Sequence, residues 1–178
     1  MFKWPFLALR RREPLRLKAI FITASAGKPM QAVKTIQAIR DTGLQGDRYC
    51  EARGFWKSID ACQVSLITES DINKAKKGQQ ASLQAKLDNG GHRRNLVIDG
   101  IKTKQLQGKT FRIGTAIFSY HKPRPPCGYI EKVEGKGLCR ALARNSGVCI
   151  RVVSSGTLTL GDAIEILNTD DKIESPGS

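Results

Sequence analysis

The stretch GVCIRVVSSGTLTLGDAIEIL, residues 147–167, decides the fold class because it alternates apolar and polar residues in short runs. In an extended chain, Val148, Ile150 and Val152 share one face, and the residues between them share the other. Gly, Ser and Asp residues, which favour turns, bound each run. The stretch therefore predicts consecutive β-strands.

Similar runs, each bounded by turn-forming residues, precede this stretch along the chain. They are LRLKAIFIT (15–23), AVKTIQAIR (32–40), QVSLIT (63–68), NLVIDGI (95–101) and KTFRIGTAIFSY (109–120). We interpret each of them as strand-forming.

Helices are predicted to be few and short. Thr68, with Asp71 three residues later, forms a capping signal at the start of one or two short surface helices. GLCRALARN (137–145) predicts another short helix. No long amphipathic helix is available to connect parallel strands. The sequence therefore predicts a mainly β chain, folded as a closed β-barrel with a few short helices.

The chain is long enough for one domain with a real core, since it has 178 residues, of which 40% are hydrophobic and 26% charged. We predict a basic N-terminal arm over residues 1–14, a barrel domain over 15–168 and a flexible tail over 169–178. No apolar run approaches the roughly 18 residues that a membrane span needs, so no membrane association is expected. The five cysteines include no CxxC pair and no Cys/His spacing typical of zinc, which argues against a disulfide framework and favours a reducing cytoplasm.

Positive charge is in large excess, with 30 Lys and Arg residues against 16 Asp and Glu residues and a formal net charge of +14. Such an excess favours anionic partners, including phosphate groups, nucleotides, nucleic acid and anionic lipid. Part of it lies in the N-terminal arm, where it is consistent with a solvated segment. No aromatic platform or nucleic-acid motif accompanies the charge, so nucleic acid is not the expected partner.

One cysteine stands on a stiff segment, HKPRPPCGYIEK (121–132). Pro125 and Pro126 restrict the backbone before Cys127, and Gly128 permits a sharp turn after it. Nearby cations, including Arg124, are expected to favour the thiolate, which is the form that attacks electrophiles and binds soft metals. The alternative is that Cys127 packs as a small hydrophobic side chain, as free cysteines usually do.

Two loops offer further candidate residues. GGHRRNLVIDGI (90–101) places Arg93, Arg94 and Asn95 at the start of a buried strand, where guanidinium groups suit a phosphate. The alternative is a solvated basic turn. GLQGDRY (43–49) offers Asp47 and Arg48 on a tight loop, although Gly-Asp turns are common in any fold.

Taken in order, GLQGDRY, VSLITESDI, HRRNLVIDGI, LQGKTFRIGTAIFS, PPCGY and NSGVCIRVVSSGTLTLGD resemble the MOSC family, named after the C-terminal domain of molybdenum cofactor sulfurase. The resemblance runs from Leu17 to Leu167. It implies a β-barrel that binds molybdenum cofactor, with Cys127 handling sulfur or ligating molybdenum. It also implies that residues matching Arg93, Arg94 and Asn95 line the cofactor pocket, and that Asp47, Arg48 and Glu69 occupy motif positions.

This resemblance supports two functional hypotheses, and the charge supports a third. The first is a molybdenum-cofactor oxidoreductase, similar to amidoxime reductases, that reduces N-hydroxylated small molecules with electrons from a separate donor protein. The second is a sulfur carrier, in which Cys127 accepts a persulfide from a cysteine desulfurase. The third is a non-catalytic module that binds nucleic acid or an acidic partner.

Overall fold

The computed structural model describes residues 14–55 and 61–167. The predicted basic arm, apart from residue 14, and the predicted tail lie outside the described residues. The strands are β1 (Arg16–Ile22), β2 (Gln31–Val33), β3 (Thr35–Ile39), β4 (Gly43–Leu44), β5 (Val64–Thr68), β6 (Leu96–Asp99), β7 (Thr110–Ile113), β8 (Ala116–Pro123), β9 (Val148–Ser154), β10 (Gly156–Thr159) and β11 (Ile164–Leu167). The α-helices are α1 (Glu69–Lys76), α2 (Ala81–Asp88), α3 (Gly128–Glu134) and α4 (Leu138–Leu142), with a short 3₁₀ helix at Thr103–Leu106.

Two sheets contain all of these strands. The larger has eight strands in the order β11-β7-β8-β9-β5-β6-β1-β2, and the smaller has three in the order β10-β3-β4. The prediction of a mainly β chain with a few short helices is therefore confirmed. AVKTIQAIR, predicted as one strand, is divided between the sheets, because β2 pairs with β1 whereas β3 pairs with β10 and β4.

The predicted closed barrel is wrong, since neither sheet of the described strands closes on itself. β11 and β2 form the two ends of the larger sheet. The segment at the start of β11 contacts the start of β1 through an isolated bridge between Arg16 and Ala163 and a few neighbouring backbone hydrogen bonds. The free edge of β1 is occupied from Ile20 to Ile22 by β2, so only its first residues can approach β11.

One connection in the larger sheet is parallel, although the sequence contains no long amphipathic helix to connect parallel strands. β5 and β6 pair in parallel, with Leu66 opposite Leu96. The chain crosses between them through α1 and α2, so two short helices together do what one long helix does in a common βαβ unit. Thr68 begins this crossover as predicted, because its side-chain oxygen accepts a hydrogen bond from Asp71 N at 3.2 Å.

The central strands are buried on both faces. Leu66 and Ile98 join a core shared with the smaller sheet, whereas their neighbours Ile67 and Val97 pack with the helices. This alternation follows from the two-residue period of side chains along a strand. The larger sheet is therefore covered by the smaller sheet on one face and by helices on the other.

The structure contains a disulfide between Cys62 and Cys149, although the spacing of the cysteines argued against a disulfide framework. Cys62 lies just before β5, and Cys149 lies on β9 opposite Ser65, with a Cα–Cα distance of 5.3 Å. The antiparallel pairing of β5 with β9 brings the two residues together across 87 positions of sequence. Both side chains are buried, so the bond reinforces the core beneath the strands.

Within the described ranges, no helix is both long enough and apolar enough to cross a bilayer.

Candidate functional site

A small cleft opens where three loops meet, and we refer to it as the Cys127 cleft. The loops are those after β4, before β6 and between β8 and α3. The structure thus brings the HRRN and PPCGY segments together, although they are separated by about thirty residues of sequence. The cleft is lined by Arg48, Tyr49, Phe55, Arg93, Arg94, Arg124, Pro125, Pro126, Cys127, Tyr129 and Ile130.

Sheet pairing fixes the segment that carries Cys127. At the end of β8, Pro123 lies opposite Val148 of β9, and Arg124 N donates to Gly147 O at 3.0 Å. Gly147 has a φ of 78°, and a Cβ there would lie 2.1 Å from Leu66 O, so only glycine fits this position. Cys127 then caps α3 with an extended backbone and a half-buried side chain. The thiol is neither fully buried nor on a loose loop.

Arg94 ties the loop before β6 to this segment. Its side chain is buried and donates to Ser146 O at 2.7 Å, Ser146 Oγ at 2.5 Å, His92 O at 3.1 Å and Arg124 O at 3.1 Å. Burial, followed by the charge of Arg124, lowers the pKa of its guanidinium to about 9, so the group stays charged at neutral pH. Arg94 therefore positions the backbone next to Cys127 in addition to lining the cleft.

Arg94→Gln is expected to lower the free energy of unfolding by about 2 to 3 kcal/mol, because several acceptors would lose a charged donor. Urea denaturation of the purified variant would measure this loss. Arg124→Gln is the matched control, since Arg124 is half-exposed and the expected change there is below about 1 kcal/mol. Equal losses in the two variants would contradict this structural role of Arg94.

The side chain of Arg93 lines the cleft with incomplete hydrogen bonding. Its Nη1 donates to Lys28 O at 3.0 Å and to Glu134 Oε1 at 2.6 Å. Its Nη2 is buried and has no hydrogen-bond partner among the described residues. The backbone has a φ of 57°, an uncommon conformation for a residue with a side chain. A buried donor without a partner, on a residue that lines a cleft, suits an acceptor supplied by a ligand.

Arg124 and Tyr49 also line the cleft, although the sequence predicted Arg124 only as a cation beside Cys127 and gave no role to Tyr49. Arg124 Nη2 donates to Tyr49 Oη at 2.7 Å. Arg48 lies over the ring of Tyr49, with 4.5 Å from its Cζ to the ring centroid. The position of Tyr49 directly after GLQGDR was the available signal.

The Cys127 cleft is positively charged. Of the four arginines that line it, Arg48 pairs with Asp47 at 3.1 Å and Arg93 pairs with Glu134. Arg94 and Arg124 form no salt bridge with a carboxylate of the described residues. In a partly desolvated cleft such a charge favours a phosphate or another anion.

His92 is buried and uncharged beside this cluster. Its Nδ1 accepts a hydrogen bond from Arg94 N at 2.9 Å, which places the proton on Nε2. Nε2 has no hydrogen-bond partner among the described residues. Burial, and then the charge of Arg94, lowers the pKa of His92 from 6.5 to about 3.

Acid is therefore expected to destabilise the fold through His92. In the unfolded chain the imidazole takes up a proton below pH 6.5, whereas in the folded chain it does so only near pH 3. Stability is lost as pH falls through this window, by about 2 kcal/mol between pH 7 and pH 5. Urea denaturation at the two pH values would measure the loss. His92→Gln should show a smaller difference between them, and an unchanged difference would contradict the assignment.

Three other predicted site residues lie elsewhere or have partners within the fold. Asn95 is fully buried, where its Oδ1 accepts from Ser65 Oγ at 2.8 Å and its Nδ2 donates to Phe21 O at 3.1 Å. Asp47 is buried and accepts hydrogen bonds from the backbone as well as from Arg48. Glu69 starts α1, where burial and then a hydrogen bond with Asp99 raise its pKa. None of the three lines the Cys127 cleft.

The described residues include no group of three or more His, Cys, Asp and Glu side chains that could hold a metal ion. A metal held only by protein side chains therefore has no ready site in this part of the chain. A metal that arrives with its own ligands needs fewer protein atoms, and one thiolate is enough to complete such a site.

Comparison with known proteins gives the same picture of the fold. The sequence profile of the MOSC domain matches residues 57–165. The crystal structure of the YUAD protein from Bacillus subtilis has a TM-score of 0.67 and 14% identity, over 88% of this chain and 97% of that chain. The crystal structure of YiiM from Escherichia coli has a TM-score of 0.62 and 18% identity, over 87% of this chain and 71% of that chain. The crystal structure of YiiM from Geobacillus stearothermophilus has a TM-score of 0.60 and 17% identity, over 87% of this chain and 76% of that chain. No curated protein sequence gives a significant match.

Proposed function

The chain belongs to the MOSC domain family, and on that premise we propose that it binds molybdenum cofactor in the Cys127 cleft and reduces N-hydroxylated small molecules. Cys127 would be the protein ligand to molybdenum, and a separate protein would donate electrons. The observation that carries the proposal is a half-buried thiol and buried guanidinium groups that line one cleft.

The residues present fit this cofactor in two respects. Molybdenum cofactor combines a metal held by sulfur with a phosphate, so its site needs a soft ligand and cationic donors. Cys127 supplies the sulfur. Arg93 supplies a buried N–H group without a partner among the described residues, and Arg124 supplies a charge without a carboxylate partner there. The cofactor, when bound, supplies the two-electron redox chemistry of molybdenum.

The chain's own residues would hold and orient this group. Arg93 and Arg124 would bind the phosphate, and Arg94 would keep the Cys127 segment in place through Arg124 O and Ser146. Phe55 and Tyr129 stack at the edge of the cleft, with ring centroids 4.0 Å apart, and would shield one side of it from water. Asp47, Arg48 and Asn95 would act mainly by supporting the loops around the cleft. Glu69 lies beside Asp99 at the opposite end of β6 and would not contact the cofactor.

A sulfur carrier is the second candidate, because Cys127 is half-exposed and therefore accessible to a donor protein. In that case Cys127 would accept a persulfide from a cysteine desulfurase. Arg93 and Arg124 would then contact the anionic acceptor.

One experiment separates the two candidates. Protein purified from a host that makes molybdenum cofactor would be assayed for reduction of benzamidoxime with reduced methyl viologen as electron donor. In parallel, mass spectrometry would test for a persulfide on Cys127 after incubation with a cysteine desulfurase and cysteine. Turnover that depends on the cofactor supports the oxidoreductase, whereas a persulfide without turnover supports the carrier. If neither turnover nor a persulfide is detected, binding of an acidic partner becomes the better account.

Arg93→Gln tests the phosphate contact within the same experiment. Losing one charge-assisted contact of about 1.5 to 3 kcal/mol corresponds to cofactor binding that is weaker by roughly ten- to hundredfold. Arg144→Gln is the control, because Arg144 is exposed and does not line the cleft. Full cofactor content in Arg93→Gln after dialysis would count against the phosphate assignment.

A further inference from the structure

A second free cysteine lies directly behind the Cys127 segment. Cys139 Sγ donates a hydrogen bond to the backbone oxygen of Cys127 at 3.1 Å. The oxygen and sulfur of Cys127 are separated by only three carbon atoms. Burial, then Glu131 and then Cys127 raise the pKa of the Cys139 thiol, so the two thiols are near enough to interact. Both cysteines are half-buried and neither takes part in the Cys62–Cys149 disulfide.

The backbone of Cys139 is fixed in this position by α3. Glu131 Oε1 accepts hydrogen bonds from Gly137 N at 3.1 Å and from Cys139 N at 3.2 Å. Ile130 N in the first turn of α3 donates to Cys127 O at 3.0 Å, which is the same oxygen that Cys139 contacts. The start of α4 and the start of α3 are therefore joined at the Cys127 backbone oxygen.

From this arrangement we propose that Cys127 and Cys139 form an oxidisable thiol pair, in which a peroxide oxidises Cys127 and Cys139 then closes a disulfide with it. Nothing in the proposed function uses Cys139. The disulfide itself does not depend on the cofactor, whereas its consequence for the cleft rests on the proposed function. While the disulfide exists, the Cys127 sulfur can neither ligate a metal nor carry a persulfide.

The chemistry balances in two steps. Hydrogen peroxide transfers one oxygen to the Cys127 thiol, which becomes a sulfenic acid, and water is released. The Cys139 sulfur then attacks the Cys127 sulfur, the S–O bond breaks, and the Cys139 thiol proton leaves with the oxygen as a second water. Two thiols are oxidised by two electrons in all, and peroxide is reduced to water. An external dithiol reverses the reaction by exchange.

Peptide mapping under non-reducing conditions tests the pair. Trypsin does not cleave before proline, so Cys127 lies in the peptide 113–132 and Cys139 in the peptide 137–140. Apo-protein treated with an equimolar amount of hydrogen peroxide should yield these two peptides joined by a disulfide. Dithiothreitol should separate them. The Cys62–Cys149 pair in the same digest shows that the map detects disulfides.

Variants make the outcome decisive. In Cys139→Ser the joined peptides should be absent, and dimedone should trap several-fold more sulfenic acid on Cys127 than in the unchanged protein. Cys50→Ser is the matched control, because Cys50 is also free and half-buried, and it should form the disulfide normally. The proposal is overturned if Cys127 pairs with Cys50 or with another molecule, or if Cys139→Ser does not change dimedone labelling. Because the apo-protein is used, this failure is distinct from a failure to bind molybdenum cofactor.

Discussion

The Cys127→Ala variant is expected to lose both benzamidoxime reduction and any persulfide, while its free energy of unfolding changes by less than about 1 kcal/mol. Alanine can neither ligate molybdenum nor carry sulfur. The side chain is half-buried, and the fold contacts Cys127 mainly through its backbone oxygen, which alanine retains. Activity assays together with urea denaturation would therefore separate a functional loss from an unfolded protein.

Cys50→Ala is the control for this variant. Cys50 is another half-buried free cysteine, and it does not line the Cys127 cleft. It should retain turnover, persulfide formation and cofactor content. If Cys127→Ala kept full activity and full cofactor content, both the oxidoreductase and the carrier would be excluded.

Reduction of the Cys62–Cys149 disulfide is expected to lower the free energy of unfolding by roughly 4 to 5 kcal/mol. The bond closes a span of 87 residues. The conformational entropy that a disulfide removes from the unfolded chain grows with the logarithm of that length. A loss of this size is a large part of the stability of an ordinary domain. Urea denaturation of the protein with and without tris(carboxyethyl)phosphine would measure it.

The double variant Cys62→Ala and Cys149→Ala provides the comparison. Its stability should be low and should not respond to the reductant, whereas Cys50→Ala should respond as the unchanged protein does. Disulfides of this kind are rare in a reducing cytoplasm. Stability that is the same with and without reductant in the unchanged protein would mean that the bond does not form.

Local patterns predicted individual elements well, because side-chain alternation and capping act over a few residues. β5 ends at Thr68 and α1 begins there, as the apolar run and the hydroxyl cap indicated. The division of AVKTIQAIR into β2 and β3 depends on which strands lie beside each half, and no local pattern contains that information. α3 was missed because it begins at Gly128, with no side-chain cap, immediately after a proline-rich segment.

Long-range features were the least predictable. The Cys62–Cys149 bond and the bridge between Arg16 and Ala163 join residues far apart in sequence. An odd number of cysteines without close spacing argued against a disulfide framework, yet the antiparallel pairing of two strands brings one pair together. The failure of the sheet to close likewise depends on β2 occupying the edge of β1.

For the candidate site, the sequence was a good guide to the segments that form the cleft and a poor guide to the role of each side chain. Cys127 and Arg93 line one cleft. The prolines and the basic loop made them candidates, and the resemblance to the MOSC family selected them. Asn95 and Arg94 resembled ligand-binding residues, but their hydrogen bonds within the fold are visible only in the structure. The nearness of Cys139 to Cys127 depends on how α3 and α4 pack.

The most direct test of the central claim is molybdenum and pterin analysis of the unchanged protein, purified from a host that makes molybdenum cofactor. Molybdenum would be measured by inductively coupled plasma mass spectrometry, and the pterin by its fluorescence after oxidation. If Cys127 and the arginines around it form a cofactor site, both should co-purify in equal amounts, close to one of each per chain. Folded protein with a reduced Cys127 that contains neither molybdenum nor pterin would contradict the claim.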